Sequence, residues 1–334
     1  MTAGWALAAT LLWLGGGPSA SGPASGALSA GARGKPAGRS PRTAPSAGAA
    51  GTLTVGLAGE GEGARRVFAP GGGAGRPGGA RLTIAELSGD RVGNAGFAGG
   101  RMVLELAWRA RPGVRLEARL PVAAGALWLE ARDPPTDAHV ATERRTSLGL
   151  GDATAAVIVT PAESPDGMVA LGMWVSAPTS RPRALVPADD GLLEAGPLAR
   201  GAVQLGRLAL AAEVVWRVRG GGFADRLAAR ALAGATLAGG RLALAAGLRA
   251  DLPLGRGRVD VPAPALAAGD GASPDPTAAL TSTAATRARV DATAGAVVDL
   301  DGAMRAGMEL AAALWGRDVA VGFGGRLFVE RSFR

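Results

Sequence analysis

The stretch RLALAAEVVWRVR at residues 207–219 decides the fold. Its charged side chains all fall on odd-numbered positions, while its even-numbered positions carry Leu, Ala, Val and Trp. Successive side chains of a strand point to opposite faces, so a period of two predicts a strand with one polar and one apolar face. Strands of soluble domains usually run about 5–6 residues, whereas a tilted strand that crosses a bilayer needs about 9–11. The length of this stretch therefore favours a membrane-spanning strand.

The same alternation recurs along the chain, as expected for a fold that is built from many such strands. It is found at 101–111, 114–120, 241–252, 287–300, 304–314 and 318–333. Short glycine-bearing connections lie at 205–207, 238–240 and 315–318, and long polar stretches at 178–196 and 255–277. Glycine supplies the positive φ that tight hairpin turns demand. Short turns at one end and long loops at the other are typical of an outer-membrane barrel.

We therefore predict an all-β fold, a closed antiparallel up-and-down transmembrane β-barrel of about twelve strands, in a range of about 10–14. Two other folds stay open at this point. A soluble β-sandwich also alternates, although over shorter strands. A helical protein is favoured by the Ala and Leu content and by FADRLAARALAG at 223–234, which fits a helical period about as well as a strand. The 54 glycines argue against long helices.

The chain divides into four predicted regions. Residues 1–22 resemble a signal peptide, because an uncharged apolar run precedes a zone of small residues. Residues 23–50 form a linker of Ala, Gly, Pro and Ser, which is predicted to be disordered. Residues 51–94 are transitional, with candidate extra strands at 51–59 and 80–89, and residues 95–334 form the barrel. Export and a membrane barrel together predict the bacterial outer membrane as the location.

Composition argues against several functions. The chain has no cysteine and one histidine, His139, which is expected in a loop. It is therefore predicted not to be an enzyme and to bind no cofactor or metal. The acids Asp189, Asp190 and Glu194 could hold a hard cation, but a solvated loop is the expected arrangement. The net charge of +8 is spread over alternating segments with few aromatics between them, so no nucleic-acid partner is predicted.

The charged face of the strands is predicted to line the lumen of the barrel. The residues assigned to it are Glu105, Arg109, Arg115, Glu117, Arg119, Arg217, Arg249, Asp251, Arg289 and Glu309. Arginine outnumbers acid among these ten, so any conductance is expected to favour anions modestly.

Two short motifs carry a family resemblance, SLGLGDATAAVIVTP at 147–161 and GMVALGMWVSAPTS at 167–180. They resemble a class of bacterial outer-membrane barrels that includes transporters, relatives of a phenol-degradation-pathway barrel and the barrel half of OmpA-like proteins. The matching motif residues are Gly149, Gly151, Asp152, Pro178 and Thr179. The likeness also covers VRLEARLPV at 114–122 and AVQLGRLALAAEVVWRVR at 202–219, and extends loosely over 80–334.

The resemblance implies a passive channel or uptake porin for small molecules, hydrophobic ones among them. It further implies outer-membrane lipid and the barrel insertion machinery as partners, the latter reading Phe333 near the end of the last strand. The alternative is a non-transporting surface or scaffold barrel, or an exported β-sandwich that binds a ligand.

Overall fold

The computed structural model describes residues 50–68, 74–75, 91–132, 136, 138–164, 166–179, 192–206, 208–220, 224–255, 288–317 and 319–333. Its strands are β1 (Leu53–Phe68), β2 (Ala74–Gly75), β3 (Arg91–Arg111), β4 (Val114–Arg132), β5 (His139–Leu150), β6 (Ala153–Ser164) and β7 (Gly167–Ala177). They continue with β8 (Glu194–Leu205), β9 (Leu208–Arg219), β10 (Asp225–Leu237), β11 (Leu242–Leu254), β12 (Ala288–Asp299), β13 (Met304–Arg317) and β14 (Val319–Phe333). A single 3₁₀ turn, Ala238–Gly240, connects β10 to β11.

These strands form one sheet that closes on itself. Each strand pairs antiparallel with its neighbours, and the last strand, β14, pairs with the first, β1, from Leu53 opposite Phe333 to Phe68 opposite Val319. β5 and β6 are two halves of one barrel strand, since both run antiparallel along β4. The two-residue β2 pairs only with the end of β1. The result is a closed barrel of twelve strands.

Apolar and charged residues alternate in the sequence because successive residues of each strand face opposite surfaces of the barrel wall. On β9 the odd positions, from Ala209 to Arg219, are buried or half-buried, and the even positions, among them Leu210 and Trp216, are exposed. Large apolar side chains are exposed around the whole barrel, as on Leu57, Met102, Leu171, Leu244 and Phe323. Such a continuous apolar outer surface is the one that faces lipid in a transmembrane barrel. No helix of the described residues is long and apolar enough to span a bilayer.

The structure settles the open alternatives of fold. Residues 225–237 form strand β10 and no helix, and the single closed sheet is incompatible with a two-sheet sandwich. Arg226 and Arg230, four residues apart, lie on one face of either a helix or a strand, which is why this segment was ambiguous.

Some predicted positions differ. The barrel begins at Leu53, earlier than residue 95, because the candidate strand at 51–59 is the one that closes it against β14. His139 is the first residue of β5 and lies in no loop. Trp315 has the same parity as the inward Arg305 and Glu309 of β13, yet it is exposed. The register with β12 shifts between Val290 and Asp291, which leaves Leu314 without a partner and turns Trp315 to the outer face. The predicted signal peptide and the linker up to residue 49 lie outside the described residues.

Candidate functional site in the barrel interior

The ten predicted lumen residues all lie on strands of the barrel wall, and none of them is exposed. Seven are buried, namely Glu105, Glu117, Arg217, Arg249, Asp251, Arg289 and Glu309, and the other three, Arg109, Arg115 and Arg119, are half-buried. They do not stand alone, since each of the seven buried residues is in an ion pair with a charge from another strand. The interior is thus a network of opposite charges.

One part of this network ties the closing seam together. Arg326 of β14 donates to Glu105 of β3 at 2.6 Å, across β1, and its Nε lies 3.5 Å from Glu60 of β1. Arg119 of β4 bridges the same two acids, with distances of 2.9 Å to Glu105 and 3.2 Å to Glu60. Two arginines shared by two carboxylates therefore join four strands around the seam.

A second part spans the interior more widely. Arg200 of β8 donates to both carboxylate oxygens of Glu117 of β4, at 3.0 and 3.1 Å, and its Nε donates to Glu213 of β9. Arg230 of β10 reaches Glu309 of β13 at 3.0 Å. In both of the long pairs two strands lie between the partners, so these side chains cross part of the barrel interior.

A third part lies towards the end of the barrel opposite the tight Gly206 turn. Glu194, the first residue of β8, is buried and accepts a 2.8 Å hydrogen bond from Arg219. Asp251 of β11 accepts 2.7 Å bonds from both Arg217 and Arg226. The solvated loop expected for Glu194 is therefore wrong, because this carboxylate is a buried member of the network. Asp189 and Asp190 lie outside the described residues.

The interior wall also carries apolar side chains, arranged in rows by the strand register. We call the register partners Arg200, Glu213, Arg230, Arg249 and Asp291 the charged row. On one side of it runs a row with Ile158, Leu198, Val215 and Ala228, and on the other a row with Met168, Ala202, Ala211 and Leu232. All eight of these apolar side chains are buried. The interior is consequently amphipathic along β8 to β10, where the charged row and both apolar rows run side by side.

Several interior residues escaped the sequence analysis for identifiable reasons. Arg226 and Arg230 lay in the segment of ambiguous period, and Arg200 is the one charge inside the strand EAGPLARGAVQL. Glu60 lay in the transitional region. Along β6 and β7 the inward positions carry Ala, Ile, Met, Trp, Thr and Ser, so no charge marks which parity faces inward. Burial of Trp174 could not have been inferred from alternation alone.

The motif residues meet at the junction between β5 and β6. The Thr179 hydroxyl donates a 2.5 Å hydrogen bond to the carbonyl oxygen of Gly151 and accepts one of 2.9 Å from the amide of Ala153. Asp152 is buried between them. Pro178 and Thr179 follow directly on β7, and Gly149 lies on the preceding half-strand. The two motifs therefore form one structural joint in the wall.

The predicted insertion signal, Phe333, lies at the end of the last strand. Phe333 ends β14, opposite Leu53, and its ring is exposed with Arg331 stacked 5.6 Å from its centroid. Among the described residues, no group of three or more His, Asp or Glu side chains is arranged to hold a metal ion.

The charges buried in the described residues balance. Nine arginines and nine acids are buried there. The buried members of the predicted set are three arginines and four acids, so its surplus of arginine lies in the half-buried Arg109, Arg115 and Arg119. The anion preference expected from that surplus stays a prediction.

No protein-family model matches the sequence, and no curated protein matches it either. Among solved structures, the fold is similar to an outer membrane channel from Pseudomonas putida F1, with a TM-score of 0.55 at 13% identity, over 89% of this chain and 100% of that one. A FadL homologue of Pseudomonas aeruginosa has a TM-score of 0.41 at 10% identity, covering 85% and 90%. The toluene transporter TodX of P. putida has a TM-score of 0.38 at 9% identity, covering 84% and 89%.

The first of these similarities shows a shared fold over the whole length of that channel. It agrees with the closed sheet, the inward charges and the exposed apolar belt. This chain is therefore a twelve-stranded β-barrel with the architecture of a bacterial outer-membrane channel.

Proposed function

We propose that the chain is a passive channel through which small molecules, including hydrophobic ones, cross the outer membrane. The observation that supports this most is the amphipathic interior, in which the charged row runs between two apolar rows along β8 to β10. A purely structural barrel has no need of a mixed wall, whereas a passage for solutes with an apolar part gains from surfaces that suit both water and the solute.

The long ion pairs set the size of what can pass. Arg200–Glu117 and Arg230–Glu309 reach across strands that are not neighbours, so they narrow the interior. Large solutes are excluded by such a constriction, and small ones pass between the paired side chains. Selectivity in this arrangement depends on the pore diameter and on the groups that line it.

The test is conductance of the purified, refolded protein in planar bilayers. We expect discrete conductance steps, and we expect them to grow when both Arg200 and Glu117 are replaced by Ala, because the constriction widens. The matched control is Leu171→Ala on the exposed outer face of β7, which should leave the step size unchanged. Conductance steps that do not respond to the interior double substitution would show that ions take another route.

A second candidate is a scaffold barrel that transports nothing. The same cross-barrel pairs favour it, since a fully paired interior can fill the cross-section and stabilise the wall. The two functions separate in the bilayer experiment. A protein that inserts and shifts its mobility on heating, yet gives no conductance with or without the Arg200 and Glu117 substitutions, is a scaffold.

A further inference from the structure

Two arginines in the charged row are placed against each other. Arg230 of β10 and Arg249 of β11 are direct register partners on adjacent strands, and both point inward. Like charges directly opposite each other in a sheet are destabilising unless something between them compensates. Some group between these two arginines is therefore needed to offset their repulsion.

Each of the two guanidinium groups is only partly satisfied by the acids around it. The Nη2 of Arg230 donates a 3.0 Å hydrogen bond to Glu309, while its Nε and Nη1 are buried without a hydrogen-bond partner. The Nε and Nη2 of Arg249 donate hydrogen bonds of 3.0 and 2.5 Å to one oxygen of Asp291, while its Nη1 is buried without a hydrogen-bond partner. Both residues are more than nine-tenths buried, at 7% and 5% exposure.

Some buried arginine nitrogens elsewhere in the described interior also make no hydrogen bond, so the contrast that matters lies within the charged row. Arg200, in the same row, has all three guanidinium nitrogens bonded to Glu117 or Glu213. A buried donor left without an acceptor costs about as much as a lost charged hydrogen bond, so such donors in a native structure call for an acceptor. Within the charged row, the unsatisfied donors all lie on Arg230 and Arg249, the two arginines of the row that face each other.

We propose that Arg230 and Arg249 form an oxyanion-binding site on the interior wall, which takes carboxylate, sulfate or phosphate groups of passing solutes. Guanidinium groups present their N–H donors in a planar fork that matches two oxygens of such an anion. An oxyanion between the two arginines would supply acceptors to the unbonded Nη1 of each arginine and offset the like-charge repulsion. The inference rests on the proposed function, because an anion reaches this wall only through an open interior.

The neighbouring acids define what the site selects. Glu309 and Asp291 already hold part of each guanidinium, so the pair carries limited net charge. Chloride, a single spherical acceptor, cannot satisfy a fork of donors, whereas an oxyanion can. Recognition by geometry predicts a preference for oxyanions over chloride at equal ionic strength.

The experiment measures binding and conductance on the same refolded protein. Thermal unfolding is followed by intrinsic tryptophan fluorescence in sodium sulfate, sodium acetate and sodium chloride at matched ionic strength. We expect saturable stabilisation by sulfate and acetate beyond that by chloride. Arg230→Lys and Arg249→Lys keep the charge but lose the planar fork, and each should raise the half-saturating sulfate concentration at least tenfold. Arg241→Lys, a matched control at an exposed position after the turn between β10 and β11, should leave it unchanged.

Three outcomes overturn the inference. Equal effects of sulfate and chloride on the parent protein would mean that water alone satisfies these donors. A sulfate response that survives both Arg230→Lys and Arg249→Lys would place the site elsewhere, as would equal loss of the response in Arg241→Lys. Clear conductance without sulfate binding defeats this inference and leaves the channel standing, whereas absence of both defeats the proposed function itself.

Discussion

Arg200 on β8 and Glu117 on β4 form a bidentate ion pair inside the barrel, with distances of 3.0 and 3.1 Å, although β6 and β7 lie between their strands. Bidentate Arg–carboxylate pairs combine charge with fixed geometry and are among the stronger hydrogen-bonded contacts in proteins. A bond of this kind between non-neighbouring strands fixes the curvature of the wall as well as the local electrostatics.

The first prediction concerns this pair. Glu117→Met or Arg200→Met alone leaves a buried charge without its main partner, and we expect either to lower the free energy of unfolding on the order of 3–5 kcal/mol. The double variant should lose clearly less than the sum of the two. The measurement is urea unfolding in lipid vesicles, arranged as a double-mutant cycle. Additivity of the two single effects within about 0.5 kcal/mol, as expected for unconnected sites, would refute the coupling.

The second prediction concerns the joint between β5 and β6. Thr179→Val keeps the shape of the side chain and removes both hydroxyl hydrogen bonds, to Gly151 and from Ala153. We expect a loss of about 1–3 kcal/mol in the free energy of unfolding and faster hydrogen exchange at the Ala153 amide. Thr179→Ser, which retains the hydroxyl, serves as control. Equal exchange rates in the two variants would mean that the hydroxyl does not hold the joint.

The third prediction separates two glycines. A Cβ on Gly196 of β8 would lie 1.8 Å from the carbonyl oxygen of Trp216 on β9, whereas a Cβ on Gly149 would have no heavy atom within 4 Å. Gly196→Ala should therefore destabilise the barrel by about 1–3 kcal/mol, the range for overpacked sites. Gly149→Ala should be nearly neutral, although Gly149 belongs to the shared motif. Gel mobility before and after heating gives the folded fraction, and a reversed order of the two variants would be contrary to the structure.

The fourth prediction concerns depth in the membrane. Leu248 is exposed near the middle of β11, and Leu208 is exposed at the first position of β9, next to the turn at Gly206. Arginine on the lipid face costs about 2–4 kcal/mol at the bilayer midplane and about 0–1 kcal/mol near the interface. Leu248→Arg should thus be far more damaging than Leu208→Arg in urea titrations of the vesicle-inserted protein. Equal costs at both sites would mean that this surface does not face lipid.

Much of the barrel could be predicted from the sequence because the wall is one residue thick, so parity alone assigns a side chain to lipid or to the interior. The strand at 207–219 and its repeats predict about twelve strands, and the ten charged residues assigned to the lumen are buried or half-buried. Parity misassigns a residue where the alternation is interrupted. The register shift beside Trp315 moved one residue to the outer face, and this shift has no signature in the local pattern.

The pairing of the charges could not be predicted for a different reason. Curvature of the wall decides that Arg200 meets Glu117, and the register of the β10–β11 hairpin decides that Arg230 faces Arg249. The alternation of the sequence shows only which residues share a face of one strand. A surplus of arginine in the sequence pattern therefore said nothing about which arginine keeps unsatisfied donors. That distinction appears only when the strands are placed side by side.

Closure of the barrel is the claim on which the whole account depends, and a disulfide across the seam tests it most directly. Leu57 of β1 and Val329 of β14 are register partners although 272 positions separate them in the sequence. The native chain has no cysteine, so Leu57→Cys with Val329→Cys introduces the only thiols. Mild oxidation of the membrane-inserted protein should give an intramolecular cross-link, seen as a reducible mobility shift of the denatured monomer, as paired strands bring Cα atoms within disulfide range. Leu57→Cys with Leu244→Cys, on a distant strand, should give none. An inserted, protease-resistant protein that forms no cross-link between positions 57 and 329, or that links only between molecules, would contradict closure.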